Sequence, residues 1–234
     1  MYFDYYIMGI IVLPGLILAI YAQSKVTSTF NKFSGIWAEC GKTASEIARL
    51  FLDNAGLQDI QIVRTSGHLT DYYNHSKKII ALSDSVYDSN SVAAIGVACH
   101  EVGHALQYKT KYTPIMIRNF VVHLCNFTSN MLWFLIVIGA IFYYTTFGTV
   151  FLWVGVGVFG LSVLLNLITL PVEYNASKRA TKLLLDSTIL TPEEVDGAKK
   201  VLNAAALTYV ASLVISILNL LRLVFSFLIS RKDD

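Results

Sequence analysis

The sequence predicts a mainly α integral membrane protein with a small β-hairpin sheet and about four transmembrane segments, and three observations lead there. The chain has 234 residues, of which 55% are hydrophobic and 15% charged, with a mean hydropathy of +0.56; soluble domains carry roughly 25% charged residues. Uncharged apolar runs of about bilayer-spanning length recur along it. Its charged residues gather in two windows, 23–127 and 171–203, whose polarity is that of a soluble domain. The formal net charge of +2 is too small to favour nucleic acid as a partner. Three cysteines (Cys40, Cys99, Cys125) without a C-x-x-C pair argue against a disulfide framework and for a reduced, cytosol-facing domain.

Residues 1–22 contain the first apolar run, Tyr5 to Ala22, with no basic residue before it and no small-residue cleavage site after it, so it is expected to remain as a membrane anchor. Lys25, Lys32 and Lys42 follow it, whereas only Asp4 precedes it; the excess of Lys and Arg places residue 23 onward in the cytosol. Residues 23–127 carry ten Lys/Arg and eight Asp/Glu and read as the first part of a catalytic domain. Within them, Trp37 to Asn54 has apolar residues at helical spacing and stops at Asn54-Ala55-Gly56. Ile60 to Val63 alternates like a strand, and Leu69 to Tyr73 and Lys78 to Ser83, joined by the polar turn Asn74–Lys77, read as a hairpin. Asp88 to Ser91 offers N-cap residues for a helix beginning at Val92, which must stop before Pro114.

Residues 128–170 hold two uncharged runs, Ser129 to Gly148 and Thr149 to Leu170, which form a transmembrane hairpin ended by Pro171. Residues 171–203 are polar again, with five Lys/Arg, and return to the cytosolic side. The last segment, 204–234, is apolar from Ala204 to Ile229, interrupted by Arg222, and either spans once or is broken.

The helix beginning at Val92 carries His100-Glu101-Val102-Gly103-His104, an H-E-x-x-H pattern. At about 100° per residue, side chains four apart leave a helix about 40° from each other, so both imidazoles can reach one metal ion. Glu101 leaves the same helix beside that ion without being needed as a ligand, where a general base for an attacking water belongs. Cys99 points about 100° away from His100 and is read as a packing residue. Catalytic zinc ordinarily takes three protein ligands, and Glu173 is the candidate third: it follows directly on a transmembrane span, opens a helical stretch, and is returned by the hairpin to the leaflet that the chain left after His104. Lys109, Lys111 and Arg118 close behind the motif argue against a motif sunk inside a membrane span, the arrangement of a site-2 type intramembrane protease. An intact Glu101 argues against a non-catalytic scaffold that holds a structural metal.

The His-Glu-Val-Gly-His motif, the segment Leu69-Thr70-Asp71-Tyr72-Tyr73, the N-terminal anchor and Pro171-Val172-Glu173-Tyr174-Asn175-Ala176-Ser177 resemble the YugP-type neutral zinc metallopeptidases of bacterial membranes. More distantly the chain is similar to the HtpX and CAAX-prenyl-endopeptidase gluzincins. The resemblance implies a zincin-like catalytic domain holding one Zn2+ per chain through His100, His104 and Glu173, with Glu101 catalytic. It implies a multi-pass protein of the bacterial plasma membrane whose active site faces the cytoplasm, with a protein or peptide substrate and the lipid bilayer as partners. Ser177 stands where those gluzincins have an acid that orients a zinc histidine, a weaker and neutral partner. The resemblance also implies that Lys78 to Ser83, or its partner Leu69 to Tyr73, is the edge strand along which substrate lies. Tyr209 is a candidate donor to the developing oxyanion, as in related zincins, with a membrane-interface tyrosine as the alternative. His68 and His75 are expected at the surface and His123 at the membrane interface. The oligomeric state stays open.

Overall fold

Residues 9–142 and 145–230 are described in the computed structural model of the chain. They form α1 (Leu13–Ser34), α2 (Ala44–Asn54), β1 (Gln61–Thr65), β2 (Tyr72–Asn74), β3 (Ile79–Ser83), α3 (Val92–Lys109), α4 (Thr113–Ile141), α5 (Thr146–Ser187) and α6 (Pro192–Ser230). The chain divides into two units. One comprises Ala22–Thr113 and Pro171–Leu207, the other Met1–Tyr21, Pro114–Leu170 and Thr208–Asp234.

In the first of these units, helix boundaries follow from side-chain chemistry. Thr43 caps α2: its hydroxyl accepts from the Glu46 N–H at 3.3 Å, and the Glu46 carboxylate accepts from the Thr43 N–H at 2.9 Å, a reciprocal pair that satisfies two N–H groups left over at the helix start. The helix therefore begins at Ala44 rather than at Trp37, and Trp37 pairs instead as an isolated bridge with Ser91. Gly56, at φ +66°, ends α2 in the left-handed conformation that a side chain resists. Arg49 ties this helix to the approach of β1, donating to the carbonyls of Ile60 (2.6 Å) and Leu57 (3.1 Å).

The sheet is larger than a hairpin. Its strand order is β1-β3-β2, with β2 antiparallel and β1 parallel to β3. β3 therefore occupies the centre, buried from Ile80 to Ser83, and the expectation that Lys78 to Ser83 forms an edge does not hold. Both of its ladder sides are taken. β2 is the edge beside the hairpin turn, and it starts at Tyr72 rather than Leu69, because Leu69 sits at φ +55°, outside the extended region that strands require.

Ser91 caps α3, its hydroxyl accepting from the Ala94 N–H at 3.2 Å. α3 is buried on nearly every side, through Val92, Ala93, Ala94, Ile95, Gly96, Ala98, Cys99, Val102, Gly103 and Ala105. Small residues on this helix let neighbours come close. A Cβ at Gly103 would stand 2.5 Å from the carbonyl oxygen of Ala176 on α5, and one at Gly96 3.2 Å from the Ala198 Cβ on α6. Glu194, buried near the start of α6, accepts from the N–H groups of Thr191 and Glu39, both at 2.8 Å.

α5 runs unbroken from Thr146 to Ser187 with Pro171 inside it, so Pro171 does not end the apolar run as a helix stop. Proline removes one intrahelical N–H, and 25 helical residues before it and 16 after it hold the helix together. Glu173 consequently sits in mid-helix, and the dipole at a helix start cannot be what keeps an acid there. α6 is likewise one continuous helix across residues 203 and 204, not a broken segment. α1 continues through residue 22 to Ser34, carrying Phe30 and Phe33 into the core of the unit just described.

The other unit is built from the start of α1, α4, α5 up to Leu170 and α6 from Thr208. A Cβ on Gly15 would stand 2.9–3.0 Å from Leu218 and Ile215, a close helix contact of the kind small residues make in membranes. Phe120, Phe127 and Phe134 are 65–70% exposed, an outward apolar surface that suits lipid. Among the described residues two helices, not four, are long and apolar enough to cross a membrane: Trp153–Ser187 and Pro192–Phe225. The expected anchor Tyr5 to Ala22 lies partly outside the described residues, as does the run Ser129 to Gly148, which includes 143 and 144.

Gly103→Ala sets two effects against each other. Helix propensity favours alanine by about 1 kcal/mol, whereas overpacking against a backbone carbonyl that cannot swing away costs about 1–3 kcal/mol or more. The clash should win, lowering the thermal midpoint by several degrees. Gly35→Ala, whose Cβ would meet only the Lys32 carbonyl at 3.7 Å, should leave it unchanged.

Candidate metal centre

Two helices of one unit supply the cluster. α3 presents His100 and His104 one turn apart, and α5 brings Glu173 against both. Glu173 Oε2 is 3.2 Å from His100 Nε2 and 3.4 Å from His104 Nε2, and the three residues' ligand atoms all lie within 4.8 Å of one another. Ligands about 2.0–2.2 Å from a tetrahedral zinc ion are separated from each other by about 3.3–3.5 Å. The donor set, two imidazole nitrogens and a carboxylate oxygen, therefore fits zinc in chemistry and in spacing. The imidazole planes are nearly perpendicular, at 88° with centroids 4.7 Å apart. Among the described residues no other group of three His, Cys, Asp or Glu side chains converges in this way.

The far side of each ring is held. His100 Nδ1 lies 3.2 Å from Ser177 Oγ, one turn beyond Glu173 on the same face of α5, so the imidazole lies across a single helical turn. His104 Nδ1 lies 3.0 Å from Gln107 Oε1. Gln107 is fully buried and its Nε2 donates to the Val172 carbonyl (2.7 Å) and to Asn175 Oδ1 (3.0 Å). Arg179 Nε donates to the same Asn175 oxygen at 2.8 Å. The Arg179 guanidinium also reaches the Leu106 carbonyl at 3.4 Å and faces the Tyr112 ring. Reading the sequence missed Gln107, Asn175 and Arg179. The available signal was spacing: Gln107 is three residues after His104 and Arg179 four after Asn175, the separations that share a helix face.

Glu101 is buried beside the histidines. Burial raises its carboxyl above the ordinary value, while the charges of His100 and His104 pull the other way and those of Glu173 and Asp71 push it further up. For His104, burial works against the charged ring, and hydrogen bonding to Glu173 with the nearby charge of Glu101 outweighs it, so its value is raised. Asp71, which the sequence placed in a motif but gave no task, secures the end of β3: its carboxylate accepts from the Ser83 N–H at 2.7 Å and from the Ser83 hydroxyl at 3.0 Å.

The remaining candidates are not among the converging ligand atoms. His75 is exposed, stacked on Tyr108 with centroids 4.0 Å apart, its Nδ1 3.1 Å from the Tyr73 hydroxyl. His68 is exposed and meets the Phe30 ring edge-on. His123 is exposed on α4. Cys99 is buried, with its thiol pushed well above the ordinary range by desolvation, as an inert packing residue should be. Tyr209 belongs to α6 within the other unit.

Residues 8–228 match the family described as "Putative neutral zinc metallopeptidase". The chain belongs to that family. Among curated proteins it is similar to one named "Putative membrane protease YugP" from Bacillus subtilis (strain 168), 40% identical over 219 residues, which cover 93% of this chain and 95% of that protein. No solved structure matches it. Membership in a zinc metallopeptidase family accords with the donor set found here, and the two long apolar helices accord with a place in or on a membrane.

Zinc binding at this cluster would have to displace the proton from His104. Because that proton is held more tightly than on a free imidazole, zinc affinity should begin to fall while the pH is still above the ordinary histidine value of about 6.5, by about tenfold per pH unit for one displaced proton. Chelator-competition titrations between pH 5 and 9 read this directly, and an affinity flat down to pH 6 would contradict it.

Proposed function

We propose that the chain is a zinc endopeptidase of the gluzincin type that hydrolyses peptide bonds at the cytosolic face of a bacterial membrane. The observation that carries this reading is the Glu173 carboxylate lodged between the Nε2 atoms of His100 and His104 at tetrahedral spacing. Glu101, with a raised affinity for protons, stands beside it. One zinc ion per chain is held by these three side chains. When bound, it supplies Lewis acidity that polarises the scissile carbonyl and acidifies the attacking water.

Glu101 accepts the proton of that water and passes it to the nitrogen of the leaving amine, cycling between carboxylate and acid. Its raised value suits both halves of the cycle, since a group that protonates too weakly cannot return the proton. β2, the exposed edge beside the hairpin turn, is the strand along which an extended substrate adds, through backbone hydrogen bonds indifferent to side chains. Tyr209 is the candidate donor to the developing oxyanion, with a membrane-interface tyrosine as the alternative reading.

The cytosolic assignment rests on charge: Lys25, Lys32 and Lys42 follow the first apolar run, and Lys178, Arg179 and Lys182 follow the span that ends near Leu170, the bias of cytosolic segments. The catalytic unit draws on both charged windows, which fits their sharing one side.

Replacing His100, His104 or Glu173 with alanine should each lower zinc affinity more than the roughly 10–100-fold lost when an outer partner of a zinc ligand is removed. Full zinc content in Glu173→Ala, measured on detergent-purified protein, would exclude that residue from the site. Glu101→Gln keeps the shape and the three ligands but removes the base, so cleavage of casein or a reporter peptide should slow by about 10²–10⁴ with zinc content and thermal midpoint unchanged. Retention of most of the proteolysis would mean that another group activates the water. Single cysteines at Lys42 and Lys199, both exposed, should resist an impermeant thiol reagent in intact cells and react after permeabilisation; labelling of either from outside would break the cytosolic assignment.

A further inference from the structure

The proton arrangement at His104 follows from groups whose hydrogen-bonding role admits no choice. The Val172 carbonyl oxygen can only accept, so the end of the Gln107 amide facing it at 2.7 Å is the nitrogen. Arg179 Nε can only donate, so the end of the Asn175 amide facing it at 2.8 Å is the oxygen, and that oxygen takes the second N–H of Gln107 at 3.0 Å. Both N–H groups of Gln107 are thereby committed. Its oxygen is what remains to face His104 Nδ1, at 3.0 Å, and an amide oxygen can only accept.

We infer that Gln107 is a positioning residue that fixes a proton on His104 Nδ1 and so makes Nε2, the nitrogen facing Glu173, the one that metal takes; the inference rests on the zinc reading above. A buried amide is well suited to this, because it carries no charge that would need a counter-ion inside the unit. The same side chain bonds the backbone of α5 at Val172, one residue before Glu173, so it also ties the positions of two ligands on different helices. His100 has no such director. At Nδ1 its partner is the Ser177 hydroxyl at 3.2 Å, which rotates to donate or accept, while Glu173 Oε2 faces its Nε2 at 3.2 Å. The two histidines are therefore held unequally on their Nδ1 sides: His104 faces an amide oxygen that only accepts, and His100 a hydroxyl that can turn.

The test labels histidine with nitrogen-15 in full-length protein in detergent and reads ring tautomers by long-range proton–nitrogen NMR, with zinc removed and with zinc bound. Metal-free wild type should show a proton on His104 Nδ1, with a second on Nε2 facing Glu173 where the ring is charged. Gln107→Met, similar in size but without polar atoms, should populate the Nε2–H form and weaken zinc binding about 10–100-fold. Gln107→Glu, which still places an oxygen opposite Nδ1, should keep the Nδ1–H ring and bind zinc more tightly than Gln107→Met. A folded Gln107→Met whose His104 remains Nδ1–H, or whose zinc affinity equals that of wild type, would overturn the inference. If Gln107→Met does not fold, Gln107→Glu decides alone: an Nδ1–H ring supports the assignment and an Nε2–H ring overturns it. Wild type that shows the Nδ1–H ring yet takes up no zinc would sink the zinc reading while leaving the tautomer assignment in place, so the two fail separately.

Discussion

α3 and α5 come close at Gly103, where a side chain would collide with the Ala176 carbonyl, and the candidate metal centre is a product of that approach. The metal-facing nitrogen of histidine and the carboxylate oxygen of glutamate each stand only three side-chain carbons out from the Cα, so two helices can share one ion only if their backbones come close. Gly103 lies between His100 and His104 on one helix, and Ala176 between Glu173 and Ser177 on the other. Contact at the glycine therefore delivers each imidazole to one turn of α5, with Glu173 at one nitrogen of His100 and Ser177 at the other. The alanines and Gly96 along the rest of α3 extend the same tight packing to α6. In an interior packed like a crystal, such contacts are either made or missed, with little middle ground.

The parts of this protein that could be read from its sequence are those fixed by neighbours in the chain. Four-residue spacing put His100 and His104 on one helix face because helix geometry is local. Ser91, Asn54-Ala55-Gly56 and the turn after β2 were legible for the same reason, since caps and turns are decided by a few adjacent residues. Glu173 could be singled out by its charge beside an apolar run, but its position in mid-helix could not. Pro171 reads as a stop when only its own backbone is considered, and it is the length of α5 on both sides that carries the helix through. The parallel pairing of β1 with β3 was equally out of reach, because it joins segments with a strand and two loops between them and leaves no local mark. Treating β3 as half of a hairpin made it an edge when it is a centre.

Polar networks show the same division. Gln107 had a visible place on the metal helix, yet its partners Val172 and Asn175 come from 65 and 68 residues away, and nothing in a local pattern says that a particular amide will be buried with every hydrogen bond made. Asp71 is similar: its two bonds to Ser83 brace the central strand while its charge acts on Glu101. Serine in place of an acid beside His100 removes a negative charge from the surroundings of the site, and the carboxylates that remain, Glu173 and Glu101, outweigh burial at His104 and raise its proton affinity.

β2 has three residues. Along an antiparallel edge only alternate residues turn their N–H and C=O groups outward, so a guest strand finds two to four hydrogen bonds there and no more, each worth about 1 kcal/mol after exchange with water. A grip that weak holds a freely diffusing peptide poorly. It becomes sufficient when guest and host are confined to the same surface, where tethering raises local concentration without adding a contact. On the proposed function, short strand and apolar helices would be two halves of one recognition strategy: the bilayer would gather candidates, and the edge would inspect only the few residues about to be cut.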